Sequence, residues 1–527
     1  MHSTAGRISR WLGISIFTLI LVNACCGPDP YRNYFKFSEI SDPKSLDPAL
    51  STDVFTAVKV TLLYDNLVKF GVGSEILPSV ARDWTISPDG RRYTFHLQPG
   101  FRFINGRQMT AQDVKFSFER VLNPETRSPM TWLFTPIVGA EAFQNGDRDE
   151  VTGLIPEDSL TLTIVLKTPF APFLGFLGMP AAAIVAPEGV SVAGDRFGEK
   201  PLGSGPWILE EWWHDNYLSF KPNPDYFFGP PKLEGLQVRI IPEVLTMAVE
   251  FESGNLDMMT VPNSEFKYWT HSQVWRPYIQ KFQELPFYYI GLNCERPPFN
   301  NPRVRQAASL AIDREKIIKR ILHGAAEAAN GPIPPALPGH NFERPVDAFN
   351  PELARQILRE EGYPDGCEFE LWADQDAGVS QTLEAIQSYL NDAGFKARIV
   401  RNDWNMMRDA MRRGKTDAYW GNWWADYADA ENFLSPLFHT KTAALRNRYS
   451  NPKVDDLIER MQQEPDDSLR AGLATRIDSI LAVDVPYIFM WYPTTYTVVQ
   501  PWVRDYQVHL MPNANKYTEP WFDREAE

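Results

Sequence analysis

Residues 369–427 read FELWADQDAGVSQTLEAIQSYLNDAGFKARIVRNDWNMMRDAMRRGKTDAYWGNWWADY, and the alternation of patterns here decides the fold. Phe369 to Trp372 reads as a strand. A helix runs from about Val379 to Ala393 with Gly394 as its cap, followed by a strand from Phe395 to Val400. A second helix covers about Trp404 to Arg413, and a third strand covers Asp417 to Trp423. Strands alternating with helices require crossover connections and a mainly parallel sheet. Five of the nine residues from Tyr419 to Tyr427 are aromatic, and Asp426 adds a carboxylate. Broad rings beside one fixed negative charge suit an organic ligand carrying an ammonium group. Taken alone, the run reads equally as a Trp-rich core strand followed by a solvated Asp. Its place at the carboxyl end of the last strand, where open α/β sheets bind ligands, favours the ligand reading.

Working outward, Asn301-Pro302 and Asn350-Pro351 each open a helix as N-cap and first position. Asp313 caps a continuation of the first of these toward Gly324. Pro486 to Tyr492 is a continuous apolar strand that stops at Pro493. The first 285 residues are mostly strands and turns. Trp84 to Leu97 contains Pro88-Asp89-Gly90 between alternating segments and reads as a β-hairpin. Thr110 and Asp113 form a capping box ahead of Val114, Phe118 and Val121 at helical spacing. Leu160 to Leu166 and Val238 to Ile241 are further strands. A chain that begins strand-rich, passes through an α/β lobe and returns to strands points to two lobes. Connections near 287–293 and 486–493 then form the hinge.

The composition narrows the function. Apolar residues at 44% and charged residues at 23% describe a globular chain with an ample core. The net charge of −15 argues against nucleic acid, which needs a concentrated basic face. Aromatics at 13%, with 16 Trp, exceed what a core requires and fit a ring-lined cleft. The N-terminus reads as an export signal: Arg7 and Arg10 precede an apolar run from Trp11 to Val22, too short to span a bilayer. Val22-Asn23-Ala24-Cys25 resembles the lipobox of bacterial lipoproteins, which makes Cys25 the lipidation site; Asn23 is uncommon there, and secretion with a free Cys25 is the alternative. Loss of residues 1–24 makes the mature chain two charges more negative. Cys294 and Cys367 fit no metal-site spacing and are either a disulfide or two separate thiols.

Three groups of motifs then carry a resemblance. Ala81-Arg82-Asp83-Trp84 through Gly100 leads into Phe103-Ile104-Asn105-Gly106 and Met109 to Phe118. Pro297-Pro298-Phe299-Asn300-Asn301-Pro302 runs on to Ala307, and Val499-Gln500-Pro501-Trp502-Val503 lies near the end. Together they resemble the family 5 extracellular solute-binding proteins, the oligopeptide- and dipeptide-binding components of ABC importers. The resemblance implies an α/β, two-lobed periplasmic-binding-protein fold (Venus flytrap, class II, cluster C) with an extra subdomain in lobe one. The expected division is a signal peptide over 1–24 and a discontinuous lobe I over 25–65, 185–290 and 490–527. The inserted subdomain takes 66–184 and the α/β lobe II 291–489. It implies a monomer outside the cytoplasmic membrane, lipid-anchored in the periplasm or cell envelope, that hands its solute to a permease, with no cofactor, metal or catalysis.

The resemblance also assigns residues. Asp426 pairs with a peptide's α-ammonium, and Asn422, Trp423 and Trp424 hold an extended peptide through their backbone. Thr52, Asp53 and Val54 form the first-lobe segment on the peptide's other edge. Tyr427 belongs to the same motif, and Trp132 is either a cleft wall or ordinary core. The sequence departs from the pattern at Trp420, where the peptide receptors carry an Arg that helps to bind the carboxyl end of short peptides. This leaves longer peptides, or non-peptide solutes such as oligosaccharides, opines and metal chelates, as alternatives. A glycoside hydrolase, using Asp426, Asp429 and Glu431, is the rival from another class. Such chemistry needs opposed carboxylates about 5–10 Å apart, and acids on one loop are mostly capping or solvated. No Gly-x-Ser-x-Gly motif marks a serine hydrolase.

Overall fold

A computed structural model describes residues 31–523 except Asp376. The signal segment, Cys25 and the proposed lipidation lie outside the described residues. In chain order, β1 (Phe35–Glu39) is followed by α1 (Val54–Leu63), then by the hairpin β2 (Ala81–Ile86) and β3 (Arg92–Leu97). Next come α2 (Ala111–Leu122), β4 (Leu154–Pro156), β5 (Thr161–Val165) and the short α3 (Phe173–Leu177). Strands β6 (Trp207–Trp213), β7 (Tyr217–Pro222), β8 (Leu236–Ile240), β9 (Met258–Thr260), β10 (Ile279–Gln283) and β11 (Phe287–Leu292) lead to the second lobe. There α4 (Pro302–Leu310), α5 (Arg314–Arg320) and α6 (Pro351–Glu360) precede β12 (Cys367–Asp374), α7 (Ser380–Asp392), β13 (Phe395–Asn402), α8 (Trp404–Arg412) and β14 (Ala418–Trp423). The chain closes through α9 (Glu431–Phe438), α10 (Pro452–Gln463), α11 (Asp467–Asp484) and β15 (Tyr487–Val499).

The quoted stretch folds as its periodicity predicts. Cys367, Phe369, Leu371 and Ala373 alternate inward along β12 and pack with Leu383, Ile386 and Leu390 of α7. β12 pairs in parallel with both β13 and β14. Within the second lobe the expectation of a mainly parallel sheet holds for these three strands alone, because β14 runs antiparallel to β11 and β11 antiparallel to β15. The chain enters the second lobe through β10 and β11, which follow each other in one direction along β15, and it returns antiparallel to both in β15. No crossover helix joins β10 to β11, and β15 returns from the second lobe to the first. At the other end of the chain order, Asp313 caps a separate helix, α5, rather than a continuation of α4.

The lobes share one sheet. Its order is β13-β12-β14-β11-β15-β9-β1-β8-β7-β6, with β10 also paired to β15. β15 does not stop at Pro493 as expected from the missing N–H. Residues 487–491 pair with β11, and residues 494–498 pair with β10. Pro493 sits where the strand changes partners, so the lost donor falls at a break in the ladder. Between β10 and β11, the half-buried Glu284 carboxylate accepts from Thr495 Oγ1 and ties the two hinge segments together.

The inserted four-stranded sheet has the order β2-β3-β5-β4. The Pro88-Asp89-Gly90 turn is formed, with Gly90 at φ 66°. The capping box is also formed, as the Thr110 N–H donates to Asp113 Oδ2 at 2.8 Å. Arg107 then bridges Asp113 at 2.8 Å and Glu188 at 2.7 Å. Its hydrogen bond lowers the Glu188 pKa to about 2. The motif over residues 103–118 is thus a structural anchor between the inserted sheet and lobe I.

Candidate functional site

The aromatic run occupies β14 and the loop that leaves it. On one edge, Ala418 to Trp423 pair residue by residue with Leu292 to Phe287 of β11. On the other edge, β12 reaches only Ala418 and Tyr419. Among the described residues, no strand pairs with that second edge from Trp420 onward. A strand edge with open N–H and C=O groups is a template for an added extended chain.

Side chains alternate across β14. Tyr419 turns toward Tyr289 and Tyr487. Trp420 turns the opposite way, 7% exposed, stacked on Tyr288 with ring centroids 5.8 Å apart and close to Trp491 at 5.4 Å. Trp420 is also one of the candidate ligand-binding residues read from the sequence. Its ring belongs to the lobe II core, because the pleat places it on the face covered by α4 to α7. Asn422 and Trp424 are exposed, and Trp423 is half-buried.

Past the strand, one buried side chain organises the loop. Asn432, on the first turn of α9, accepts from Trp423 Nε1 at 3.3 Å and from the Asp426 N–H at 3.1 Å through Oδ1. Its amide nitrogen donates to Asp426 Oδ2 at 3.4 Å. Asp426 is exposed to solvent at the end of the strand. Lost hydration pushes the Asp426 pKa up, and the hydrogen bond from Asn432 opposes that rise. A carboxylate in this position gains from an ammonium partner.

Tyr427 is buried and donates to the Glu431 carboxylate, which also accepts from Gln462 at 2.7 Å. The Tyr427 ring meets Phe176 of α3 at 5.0 Å, and Phe176 in turn meets Trp132 at 5.1 Å. This chain of rings joins the inserted subdomain to lobe II. Trp132 stays 37% exposed at its end. Beside it, Ser128 Oγ donates to the Ala49 carbonyl at 2.5 Å, which brings residues 128–132 against the segment that leads to Thr52. Thr52 and Val54 are exposed. Asp53 is extended, at φ −134° and ψ 160°, and its side chain caps α1 by accepting from Thr56 N at 2.9 Å. The Asp53 carbonyl accepts from the Ala57 N–H at 2.9 Å, and its carboxylate is likewise used in the cap. A cavity of about 560 Å³ lies between the subdomain and lobe II, lined in part by Tyr93, Phe170, Tyr427, Asp429 and Arg470. It adjoins the loop at Tyr427 and does not include Asp426.

With this geometry in hand, comparison with known proteins is informative. The model of the bacterial extracellular solute-binding proteins, family 5 (middle region), matches residues 75–444. The chain belongs to this family. The family 5 protein is 28% identical to heme-binding protein A of Haemophilus influenzae, with 90% of each chain covered. It is 26% identical to the dipeptide-binding protein of Escherichia coli, covering 88% of this chain and 90% of that one. Among solved structures it resembles the periplasmic binding protein DppA from Helicobacter pylori in complex with peptide STSA. That match has a TM-score of 0.76 and 27% identity, over 93% of this chain and 98% of the other. The solute-binding protein thus has the two-lobed fold of the family. Among its described residues, no helix is long and apolar enough to cross a membrane.

Beside the strand and Asp426 lie three residues that the sequence did not point to: Asn432 on α9, Phe176 on α3 and Arg446 in the turn after Ala443.

Proposed function

We propose that this solute-binding protein is the extracytoplasmic receptor of an ABC importer, and that it takes an extended peptide between two lobes that close on it. The observation that carries the reading is the open edge of β14, which leads directly into Asp426. An extended backbone added to that edge gains main-chain hydrogen bonds without reading side chains. Asp426 then receives the α-ammonium, and Asn422 to Trp424 supply the backbone contacts. The exposed Thr52 offers its main chain from lobe I, and Trp132 forms part of the wall. Closure turns on the shared sheet at residues 284–286 and 493–494, where β15 changes partners. In the same reading, acylated Cys25 tethers a monomer outside the cytoplasmic membrane, and the protein delivers its solute unchanged.

Native mass spectrometry of the purified protein tests the reading, with calorimetry on peptides carrying free or acetylated amino termini. Intact co-purified peptide and a strong preference for the free amine support it. Cleaved ligand, or tight binding confined to a non-peptide solute, would overturn it.

A further inference from the structure

Another cavity, of about 490 Å³, contains no residue of β14 or of the loop that follows it. Its walls come from the hairpin of Val68–Phe70 with Ile76–Pro78, from residues 226–232 and from the returning segment 505–520. Backbone hydrogen bonds join these walls. The Leu510 N–H donates to the Val72 carbonyl at 2.8 Å, and the Lys232 N–H to that of Thr518 at 3.3 Å. Two lining residues, Asp505 and Tyr517, hold left-handed backbone at φ 57° and 51°. For a side chain as bulky as tyrosine this conformation is strained, and stacking of the Tyr517 ring on Phe37, with centroids 5.1 Å apart, holds it in place. The cavity is therefore built into the fold, at a size that suits a small organic molecule.

Lys69 lines this cavity, half-buried, with its ammonium 4.5 Å from the centroid of the Phe228 ring. Among the described residues, no carboxylate lies within ion-pair distance of that ammonium, and it makes no hydrogen bond. The carboxylates that act on it, Asp65 and Glu519, are already engaged. Asp65 accepts from Lys516 at 2.8 Å and from Ser204 at 3.0 Å, and Glu519 pairs with Lys232 at 3.0 Å. Lost hydration, with repulsion from Lys516, holds the Lys69 ammonium below the usual lysine range. Other lysines withdrawn from water are paired: Lys59 with Glu39, and Lys115 with Glu150 at 2.5 Å. An ammonium partly removed from water without an anion is unfavourable, and an aromatic face offsets only part of that cost. In the same cavity Val72, Leu77 and Phe228 are exposed apolar side chains.

We propose that this cavity is a binding site, separate from the cleft at Asp426, for a small organic anion. Lys69 takes the carboxylate or phosphate of the occupant, and Val72, Leu77 and Phe228 cover its ring or short apolar chain. The unpaired cation sets the sign of the charge, and the exposed apolar side chains call for more than an inorganic ion. A chain of net charge −15 repels free anions in general, so capture here comes from the local pairing with Lys69. The inference does not depend on the peptide-receptor reading.

The test uses the full mature protein and four probes: benzoate, phenyl phosphate, neutral benzyl alcohol and inorganic phosphate. In calorimetry, benzoate or phenyl phosphate should bind at least about tenfold more tightly than benzyl alcohol, the scale of one charge-assisted contact. The tighter of the two names the headgroup. An anion-to-alcohol ratio near one overturns the inference, and so does inorganic phosphate that binds as tightly as either organic anion. Location is read by limited acetylation and peptide mapping. The better anion should slow acetylation of Lys69 and leave that of the exposed Lys44 unchanged. Equal acetylation of Lys69 with and without the anion overturns the inference, and neither measurement requires a variant to fold. Lys69→Met should bring anion and alcohol together, and Lys69→Arg should keep part of the preference. A Lys69→Met protein with the wild-type ratio overturns the assignment of Lys69.

Discussion

Asn432 holds Asp426 at two points. It accepts from the Asp426 N–H at 3.1 Å and donates to its carboxylate at 3.4 Å, while being 2% exposed itself. Asn432→Ala would leave the Asp426 N–H and Trp423 Nε1 without their acceptor. We expect a loss of about 1–3 kcal/mol in stability, the usual cost of orphaned buried polar groups. Ligand affinity should fall further than stability, because the carboxylate would no longer be fixed. Calorimetry and thermal melts on the same preparation separate the two effects, and unchanged affinity would remove Asn432 from the site.

Asp426→Asn should weaken binding of amine-bearing peptides by about 2–5 kcal/mol, the range for removing one partner of a desolvated charge pair. The pH dependence has a definite sign. Lost hydration raises the Asp426 pKa in the unliganded protein, so the ionised form needed for an ammonium is lost as pH falls through that raised value. Affinity should therefore start to decline above the ordinary carboxylate range of about 4. Titration of the dissociation constant from neutral to acidic pH checks this; a decline confined to the ordinary range refutes the loss of hydration at Asp426.

Glu431 lies buried under Tyr427 and Gln462, and burial raises its pKa against their hydrogen bonds. A carboxyl whose folded pKa lies above its unfolded value contributes stability that is present below the unfolded pKa and lost as pH rises through the folded one. Glu431→Gln stays uncharged, so its melting temperature relative to wild type should rise from acidic to neutral pH. Parallel melting curves for the two proteins across this range would contradict the assignment.

Trp420 separates packing from recognition. Trp420→Ala should cost about 3–5 kcal/mol, as large-to-small changes of aromatic core residues do. The folded fraction should retain its peptide affinity, because the ring faces Tyr288 and Trp491 rather than the open strand edge. Chemical denaturation and calorimetry report the two quantities. A specific loss of affinity with little loss of stability would restore Trp420 to the site.

Closure can be probed at Gly175. A Cβ added there would lie 3.3 Å from Tyr427 Cδ2, across the contact between α3 and the loop after β14. Gly175→Val should force the two surfaces apart, weaken ligand binding and leave the liganded protein more expanded in small-angle scattering. A wild-type radius of gyration and affinity would show that this contact does not govern closure.

What the sequence determined by itself is local. The capping box at Thr110, the turn at Pro88-Asp89-Gly90 and the alternation from Phe369 to Trp423 are each written in a few neighbouring residues. Helix caps, left-handed turns and strand periodicity are decided over that range, so those elements fell within a residue or two of expectation. The same periodicity placed Asp426 at the carboxyl end of a strand. The tertiary structure decided everything that depends on which distant segments meet. β15 runs through Pro493 because β10 takes over as its partner there. Trp420 is a core residue because β11 and β15 present Tyr288 and Trp491 to its face. Asn432 reaches the motif from α9, and Arg446 from the turn after Ala443. A strand edge is open, and an ammonium is unpaired, only with respect to the whole fold. The aromatic run could therefore announce a binding site from its sequence, whereas the groups that hold that site were fixed by packing.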